Sequence, residues 1–234
     1  MLKKKVLAND AEFLQRLGEV FTQAEAQGAP NETVMNAFII YKMLLNQQDS
    51  ELLETMMSER FYLEVFGALE YNPEINQTVQ ESKYRNFLQN EAKYKECIDL
   101  GSSQEEVAQK AKLAYRINYL KDTALATGLD EPVINGMNTS INHINMELIQ
   151  AVFLNDQIMD QVFKKFHSDE MKEKTDAIAF MQEIFNISKN FQLNIKMTIV
   201  GQLKESCDKF KIFEFMNECI KFYKKERAEP TLDK

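Results

Sequence analysis

Apolar residues recur along this chain at the three- and four-residue spacing that is typical of amphipathic helices. The 234 residues include only 7 Gly and 4 Pro, too few to supply the many turns of an all-β fold. We therefore predict short amphipathic helices from end to end. The first two have the apolar faces Phe13, Leu17, Val20, Phe21 and Ala24, and then Val34, Phe38, Tyr41 and Leu45.

Polar capping residues indicate where these helices begin. A Gly-Ala-Pro break at 28–30 ends the first helix, and Asn31 is the predicted N-cap of the second. Such residues accept a hydrogen bond from a backbone N–H group that the first helical turn leaves unsatisfied. The same reasoning predicts later helix starts at Asp49, Ser58, Ser82, Ser102, Asp130, Ser168 and Asp208.

Three segments suggest a weak internal repeat. NDAEFLQRL, SERFYLEVF and NDQIMDQVF each place a capping residue before an apolar helix. If Phe13, Phe61 and Ile158 are equivalent, the intervals are 48 and 97 residues (61 − 13 and 158 − 61), the second close to twice the first. The shorter interval is slightly above the range of about 40–47 residues expected for HEAT or armadillo units.

This repeat predicts an all-α fold, an armadillo/HEAT-like helical solenoid in which neighbouring units stack to bury their apolar faces. A plain helical bundle is the alternative. One interval after Phe61, near position 109, the order of apolar and polar residues no longer follows the repeat. We therefore predict a non-repeat insertion around residues 70–122. One domain is expected over 1–225, followed by a flexible tail at 226–234.

The distribution of charge also marks the insertion. The whole chain carries a net charge of −8, but residues 83–121 hold eight Lys or Arg against five Asp or Glu, a net of +3. A basic segment on an acidic protein favours docking of an acidic or phosphorylated partner. The acidic total argues against a general nucleic-acid-binding protein.

Composition also restricts the cellular setting. The cysteines Cys97, Cys207 and Cys219 have no CxxC spacing, which favours a reducing compartment without a disulfide framework. No apolar run reaches the length of about 18 residues that a membrane span needs, and the basic start lacks the apolar region of a signal peptide. We expect a nuclear or cytoplasmic protein that is not secreted and has no membrane partner.

Catalytic motifs are absent from the sequence. No HExxH, GxSxG, P-loop or GxGxxG pattern occurs, and the cysteines lie far from either histidine. His143 is expected at a junction between helices and His167 at a helix C-terminus, where a histidine commonly meets exposed carbonyls. We predict a protein that is not an enzyme and that needs no cofactor or metal.

Four ordered segments resemble one known family. They are FYLEVFGALEYNP from Phe61, KYRNFL from Lys83, EAKYKECI from Glu91 and AYRINYLKDTAL from Ala114. They are similar, in order and spacing, to the central helical (SMEK) domain of protein phosphatase 4 regulatory subunit 3. The resemblance implies a non-catalytic scaffold that assembles with the phosphatase catalytic subunit and a second regulatory subunit, and helps direct them to substrate proteins.

The chain departs from this family at three positions, and these departures put any family contact made there in doubt. Asn72 stands where the family usually has Asp, and Tyr84 and Asn86 stand where it usually has His and Glu. The candidate partner-binding residues combine the resemblance with the basic and aromatic character of the insertion. They are Glu70, Tyr71, Asn72, Tyr84, Arg85, Phe87, Lys93, Tyr94, Lys95 and Arg116.

Structural roles compete with partner binding at several of these positions. Arg85 and Arg116 can each cap a helix end or pair with Glu70. The helix predicted near Ser103 has apolar residues on two sides, so its tyrosines fit a core role, and Arg116 falls on its narrow polar stripe. The alternative functions are a helical-repeat adaptor in transport or the cytoskeleton, and an uncharacterised hydrolase.

Overall fold

The computed structural model describes residues 2–28, 31–73, 84–91, 97–98, 105–124, 131–189, 217 and 220–221. Within these residues there is no strand, and the predicted all-α fold class is confirmed. The helices are α1 (Leu2–Val6), α2 (Ala8–Ala26), α3 (Glu32–Leu45), α4 (Ser50–Met56), α5 (Tyr62–Leu69), α6 (Tyr84–Asn86), α7 (Glu105–Tyr119), α8 (Glu131–Leu154), α9 (Asp156–Phe166) and α10 (Met171–Lys189), with π-helical turns at Phe87–Glu91 and Leu120–Ala124.

The chain forms two compact units. Unit 1 comprises Met1–Lys95 and Ala108–Ile144, and unit 2 comprises Glu96–Val107 and Asn145–Lys234. In unit 1, α2, α3 and α5 pack against one another, and in unit 2, α9 packs against α10. The expected limits of the domain and its tail, 1–225 and 226–234, stay predictions. The largest side chains buried in unit 1 include Leu14, Phe21, Tyr41, Leu52, Met56, Met57, Phe66, Ile117 and Leu120.

Helix α2 buries Phe21 and Ala24, as its apolar pattern predicts, but not the whole of the predicted face. Phe13 and Val20 are 43% and 49% exposed, so their predicted burial is wrong. Gly18 explains the orientation, because a Cβ atom there would lie 3.0 Å from Cγ of Glu64 on α5. The two helices therefore approach each other on the glycine side of α2. Its buried residues are Ala11, Leu14, Gly18, Phe21 and Ala24.

This orientation also affects the proposed repeat. Phe61 and Ile158 are buried, whereas Phe13 faces solvent, so the three residues are not equivalent in burial. The predicted apolar face of α3 is confirmed, since all four of its residues are buried. In the segment predicted as an insertion, the described residues 84–91 and 105–122 are helical, and 74–83, 92–96 and 99–104 lie outside the described residues.

Three of the predicted N-caps are confirmed. Asn31, Asp49 and Asn155 accept hydrogen bonds from the backbone N–H groups of Val34, Leu52 and Gln157, each at 3.0 Å. The Ser168 hydroxyl accepts a hydrogen bond from the backbone N–H of Glu170, just before α10. Other predicted starts, at Ser82, Ser102, Asp130 and Asp208, lie outside the described residues.

The predicted cap at Ser58 is wrong. Phe61 occupies the N-cap position of α5, and its side chain makes no capping hydrogen bond. The carbonyl oxygen of Ser58 instead accepts hydrogen bonds from the backbone N–H groups of Phe61 and Tyr62. A tight turn therefore carries the chain into α5, and burial of Phe61 holds the start of this helix.

Replacing Asn31 by alanine should lower the free energy of unfolding by about 1–2 kcal/mol. The Asn31 side chain caps α3 and also donates to the carbonyl oxygens of Ala24 and Gly28, at 2.7 and 3.1 Å, so it ties α3 to the end of α2. Urea denaturation of Asn31→Ala measures the loss. Asn142→Ala, at an exposed position inside α8, is the control and should raise stability slightly, by less than about 0.7 kcal/mol, because Ala favours the helix more than Asn does. Equal stability of the two variants would contradict this role.

Candidate functional site

Arg85 lies at the centre of an ion-pair cluster in unit 1, which we call the Arg85 clamp and define as Glu25, Glu70, Tyr71 and Arg85. The guanidinium donates to both carboxylate oxygens of Glu25, at 2.8 and 2.5 Å. It also donates to Oε2 of Glu70 from Nη2 and Nε, at 3.0 and 3.3 Å. The clamp thus joins α2, the end of α5 and α6, and it engages every nitrogen of the guanidinium.

The surroundings of the clamp fit a planar cation. A Cβ atom on Gly67 would lie 2.6 Å from Cζ of Arg85, so the absence of a side chain at 67 leaves room for the guanidinium. The Phe21 ring lies on another side, with its centroid 5.6 Å from Cζ. The backbone N–H of Arg85 donates to Oε1 of Glu70 at 2.9 Å. The predicted pairing of Glu70 with an arginine is therefore confirmed for Arg85.

Protonation in the clamp follows from these contacts. The hydrogen bonds from Arg85 hold the pKa of Glu25 below its ordinary value, against the opposing effect of burial. Tyr71 donates to Oε1 of Glu25 at 2.8 Å. Burial and this carboxylate raise the pKa of Tyr71 to about 12. Burial alone would lower the pKa of Arg85, but its bonds to Glu25 and Glu70 raise it, so the cluster stays charged at neutral pH.

Arg116 makes a separate cluster in unit 1. It is only 8% exposed, so this member of the predicted polar stripe of α7 is buried. The guanidinium donates to the carbonyl oxygen of Met57 at 3.2 Å and pairs with Glu59. It also lies over the Tyr62 ring, 4.1 Å from the centroid. Arg116 can be buried because these three groups replace the water that would otherwise solvate its charge.

The aromatic candidates near the clamp differ in exposure. Phe87 is 40% exposed and stacks on Tyr119, with ring centroids 5.6 Å apart and an interplanar angle of 7°. Tyr119 in turn packs on buried Phe66 at 5.4 Å, which supports the core role predicted for this tyrosine. Tyr84 is half-buried, and burial raises its pKa. Phe87 is therefore an exposed aromatic ring whose inner face is supported by Tyr119.

The structure thus brings Glu70, Tyr71 and Arg85 together in the clamp. Asn72, the next residue, is buried. The candidates Lys93, Tyr94 and Lys95 lie outside the described residues. Sequence reasoning missed Glu25, which pairs with Arg85 across 60 positions, and Gly67, whose only signal is the lack of a side chain inside an apolar helix.

The histidines make structural contacts where the structure describes them. His167 hydrogen-bonds through Nδ1 to the carbonyl oxygen of Phe163 at 2.8 Å, as expected for a histidine at a helix C-terminus. His143 lies inside continuous helix α8, so its expected place at a junction is wrong.

Among the described residues there is no group of three or more His, Cys, Asp or Glu that could hold a metal ion. Of the helices in the described part, none combines the length and apolarity needed to cross a membrane.

Replacing Arg85 by alanine should lower the free energy of unfolding by roughly 1.5–3 kcal/mol, because it leaves two half-buried carboxylates without their cation. Thermal and urea denaturation measure the change. Arg16→Ala is the matched control: Arg16 pairs with Glu12 on the surface of α2 and its side chain is 74% exposed, so its loss should cost less than about 0.5 kcal/mol. Similar effects of the two substitutions would contradict a structural clamp.

The stabilisation by the clamp should depend on pH. The pKa of Glu25 in the folded chain is below its ordinary value of 4.5. The stabilisation of the fold by the ionised Glu25 carboxylate is therefore complete above about pH 4.5. It is lost as the pH falls through the folded pKa. We expect the stability difference between the unaltered chain and Glu25→Gln to be constant from about pH 6 to 8 and to shrink below pH 4.5. A difference that does not change down to pH 3 would contradict the assignment.

Comparisons with known proteins agree with the resemblance in the sequence. Suppressor of Mek1 from Dictyostelium discoideum is 28% identical over 203 residues, which cover 85% of this chain and 19% of that protein. Protein PPP4R3C1 from Mus musculus is 26% identical over 168 residues, which cover 70% of this chain and 20% of that protein. The chain thus spans about a fifth of the length of these relatives.

No solved structure matches the chain. The family model described as Phosphatase 4 regulatory subunit 3 matches residues 2–222, nearly the whole sequence. This chain therefore belongs to the phosphatase 4 regulatory subunit 3 family.

Proposed function

We propose that this chain is a non-catalytic scaffolding segment of a phosphatase 4 regulatory subunit. In this proposal it binds the phosphatase catalytic subunit and a second regulatory subunit, and it helps to bring substrate proteins to them in the nucleus or the cytoplasm. The observation that supports it is the family match over residues 2–222, since the family is described as a regulatory subunit. Dephosphorylation itself belongs to the catalytic partner.

The Arg85 clamp supports the folded shape of the scaffold and does not serve as the proposed docking surface. All the guanidinium nitrogens of Arg85 donate hydrogen bonds within unit 1, so the positive charge of this residue is already neutralised by Glu25 and Glu70. A charge reversal at Arg85 would break these contacts and destabilise the fold, so any loss of binding could not be assigned to a lost partner contact. The proposed contact must therefore come from side chains of the candidate set that face outward.

Among the candidates that the structure describes, Phe87 is the one with the required exposure. It lies in the π-helical turn after α6, and its ring is fixed by stacking on Tyr119, so little side-chain freedom remains to be lost on binding. Asn86 and Gln89 beside it are exposed and can form a polar rim. Rigid exposed aromatic rings surrounded by polar groups are typical of the centres of protein interfaces. We propose the surface around Phe87 as the phosphatase contact.

The test is titration calorimetry of the purified chain against the phosphatase catalytic subunit, with and without the second regulatory subunit, at low and high salt. We expect binding by the unaltered chain and an affinity roughly 10- to 30-fold weaker for Phe87→Ala. Thermal denaturation of the variant checks that the loss of stacking on Tyr119 leaves the chain folded.

Phe13→Ala is the matched control, because Phe13 is 43% exposed on α2 against 40% for Phe87. It should bind like the unaltered chain. Weakening by Phe13→Ala alone would contradict the proposed surface and place the contact on α2. Binding to neither phosphatase subunit in any combination would contradict the scaffold role of this segment and favour the adaptor alternative.

A further inference from the structure

A continuous groove runs between α2 and α5 in unit 1, and we call it the α2–α5 groove. It consists of two adjoining cavities of about 370 and 450 Å³, and Thr22 and Glu64 line both. The larger one follows α2 from Leu14 to Gln23, a rise of about 14 Å at 1.5 Å per residue. The smaller one continues toward Arg85 and Gln89.

The shape of the groove suits an extended peptide. Beside Gly18 the aliphatic part of the Glu64 side chain packs against α2, and half-buried Leu63 contributes apolar surface. An extended chain advances about 3.3–3.6 Å per residue, so about four residues fit along the 14 Å beside α2. A helix about 10 Å wide has no comparable place between two helices that already touch.

The groove has excess negative charge. The arginine at each end is already paired, Arg60 with Asp10 at 2.7 Å and Arg85 with Glu25 and Glu70. Carboxylates that line the groove or pair with its arginines therefore outnumber the guanidinium groups by five to two, a net charge of −3. They are Asp10, Glu19, Glu25, Glu64 and Glu70 against Arg60 and Arg85.

Glu64 sits where the two cavities meet. It is half-buried, and no hydrogen bond or ion pair within the described part of the chain engages its carboxylate. The hydroxyl of Tyr41, on a side chain with 0% exposure, is also without a hydrogen-bond partner there. Burial and, to a smaller extent, the charge of Glu64 raise the pKa of Tyr41. Among the described residues, Glu64 therefore places an unpaired, half-buried carboxylate where the two cavities meet.

We propose that the α2–α5 groove binds an extended peptide segment of a partner protein, with an arginine side chain of that segment on the carboxylate of Glu64. A guanidinium matches a carboxylate with two parallel hydrogen bonds, and it would offset the unpaired charge at the centre of the groove. An apolar residue beside the arginine would lie on Leu63. This inference goes beyond the proposed assembly with phosphatase subunits and does not depend on it.

The test uses the purified chain and a synthetic probe, acetyl-Ala-Leu-Arg-Leu-Ala-amide, titrated by NMR chemical-shift perturbation. Its twin carries citrulline in place of arginine, which keeps the shape and removes the charge. We expect the arginine peptide to shift the amide signals of α2 and α5, and to bind at least roughly tenfold more tightly than the citrulline peptide. Glu64→Gln should reduce the affinity for the arginine peptide by a similar factor.

Glu183→Gln, at an exposed position on α10, removes the same charge outside the groove and should leave the affinity unchanged. Gly18→Ala adds a Cβ atom that displaces the Glu64 side chain, and it should weaken binding of the arginine peptide. Equal binding of the two peptides, no effect of Glu64→Gln, or the absence of binding would each overturn the proposal. Because no phosphatase subunit is present in this experiment, its failure is distinguishable from failure of the proposed scaffold role.

Discussion

The pairing of Arg85 with two carboxylates is the interaction on which the arrangement of α2, α5 and α6 depends. A half-buried guanidinium needs acceptors that replace its lost hydration, and here they come from Glu25 and Glu70. The rest of the site follows from that requirement. Position 67 must lack a side chain, and the Tyr71 hydroxyl completes the hydrogen bonding of Glu25. Positions 25 and 85, which are 60 residues apart, are held in contact by this one charge.

Features of the fold that depend on neighbours in sequence could be predicted. Asn31 and Asp49 were identifiable as caps because a cap requires only a short polar side chain and a backbone N–H group three residues later. The buried face of α2 could be predicted only in part, at Phe21 and Ala24, because apolar spacing permits several faces and contact between α2 and α5 selects one. The lack of a side chain at Gly18 allows this contact, and a pattern of hydrophobic residues does not reveal the role of a glycine.

The candidate site, like the fold, could be predicted where its residues are close in sequence and not where they meet through helix packing. The short interval between Glu70 and Arg85 made their pairing foreseeable, whereas the contribution of Glu25 depends on the packing of α2. Arg116 shows the limit of a polar-stripe argument. A charged residue on such a stripe can still be buried when a carboxylate, a carbonyl and an aromatic ring converge on it, as Glu59, Met57 and Tyr62 do. Sequence counts of charge do not distinguish a paired arginine from a solvated one.

This distinction changes where charge is available for binding. Two arginines of the basic segment, Arg85 and Arg116, are neutralised inside unit 1, while the α2–α5 groove keeps excess negative charge. The groove and the proposed phosphatase surface also meet in one structural element, because Gln89 lines the groove and Phe87 lies in the same π-helical turn. A ligand in the groove that repositions this turn would change the affinity at Phe87. Thermodynamic linkage requires binding at Phe87 to change the affinity of the groove by the same factor.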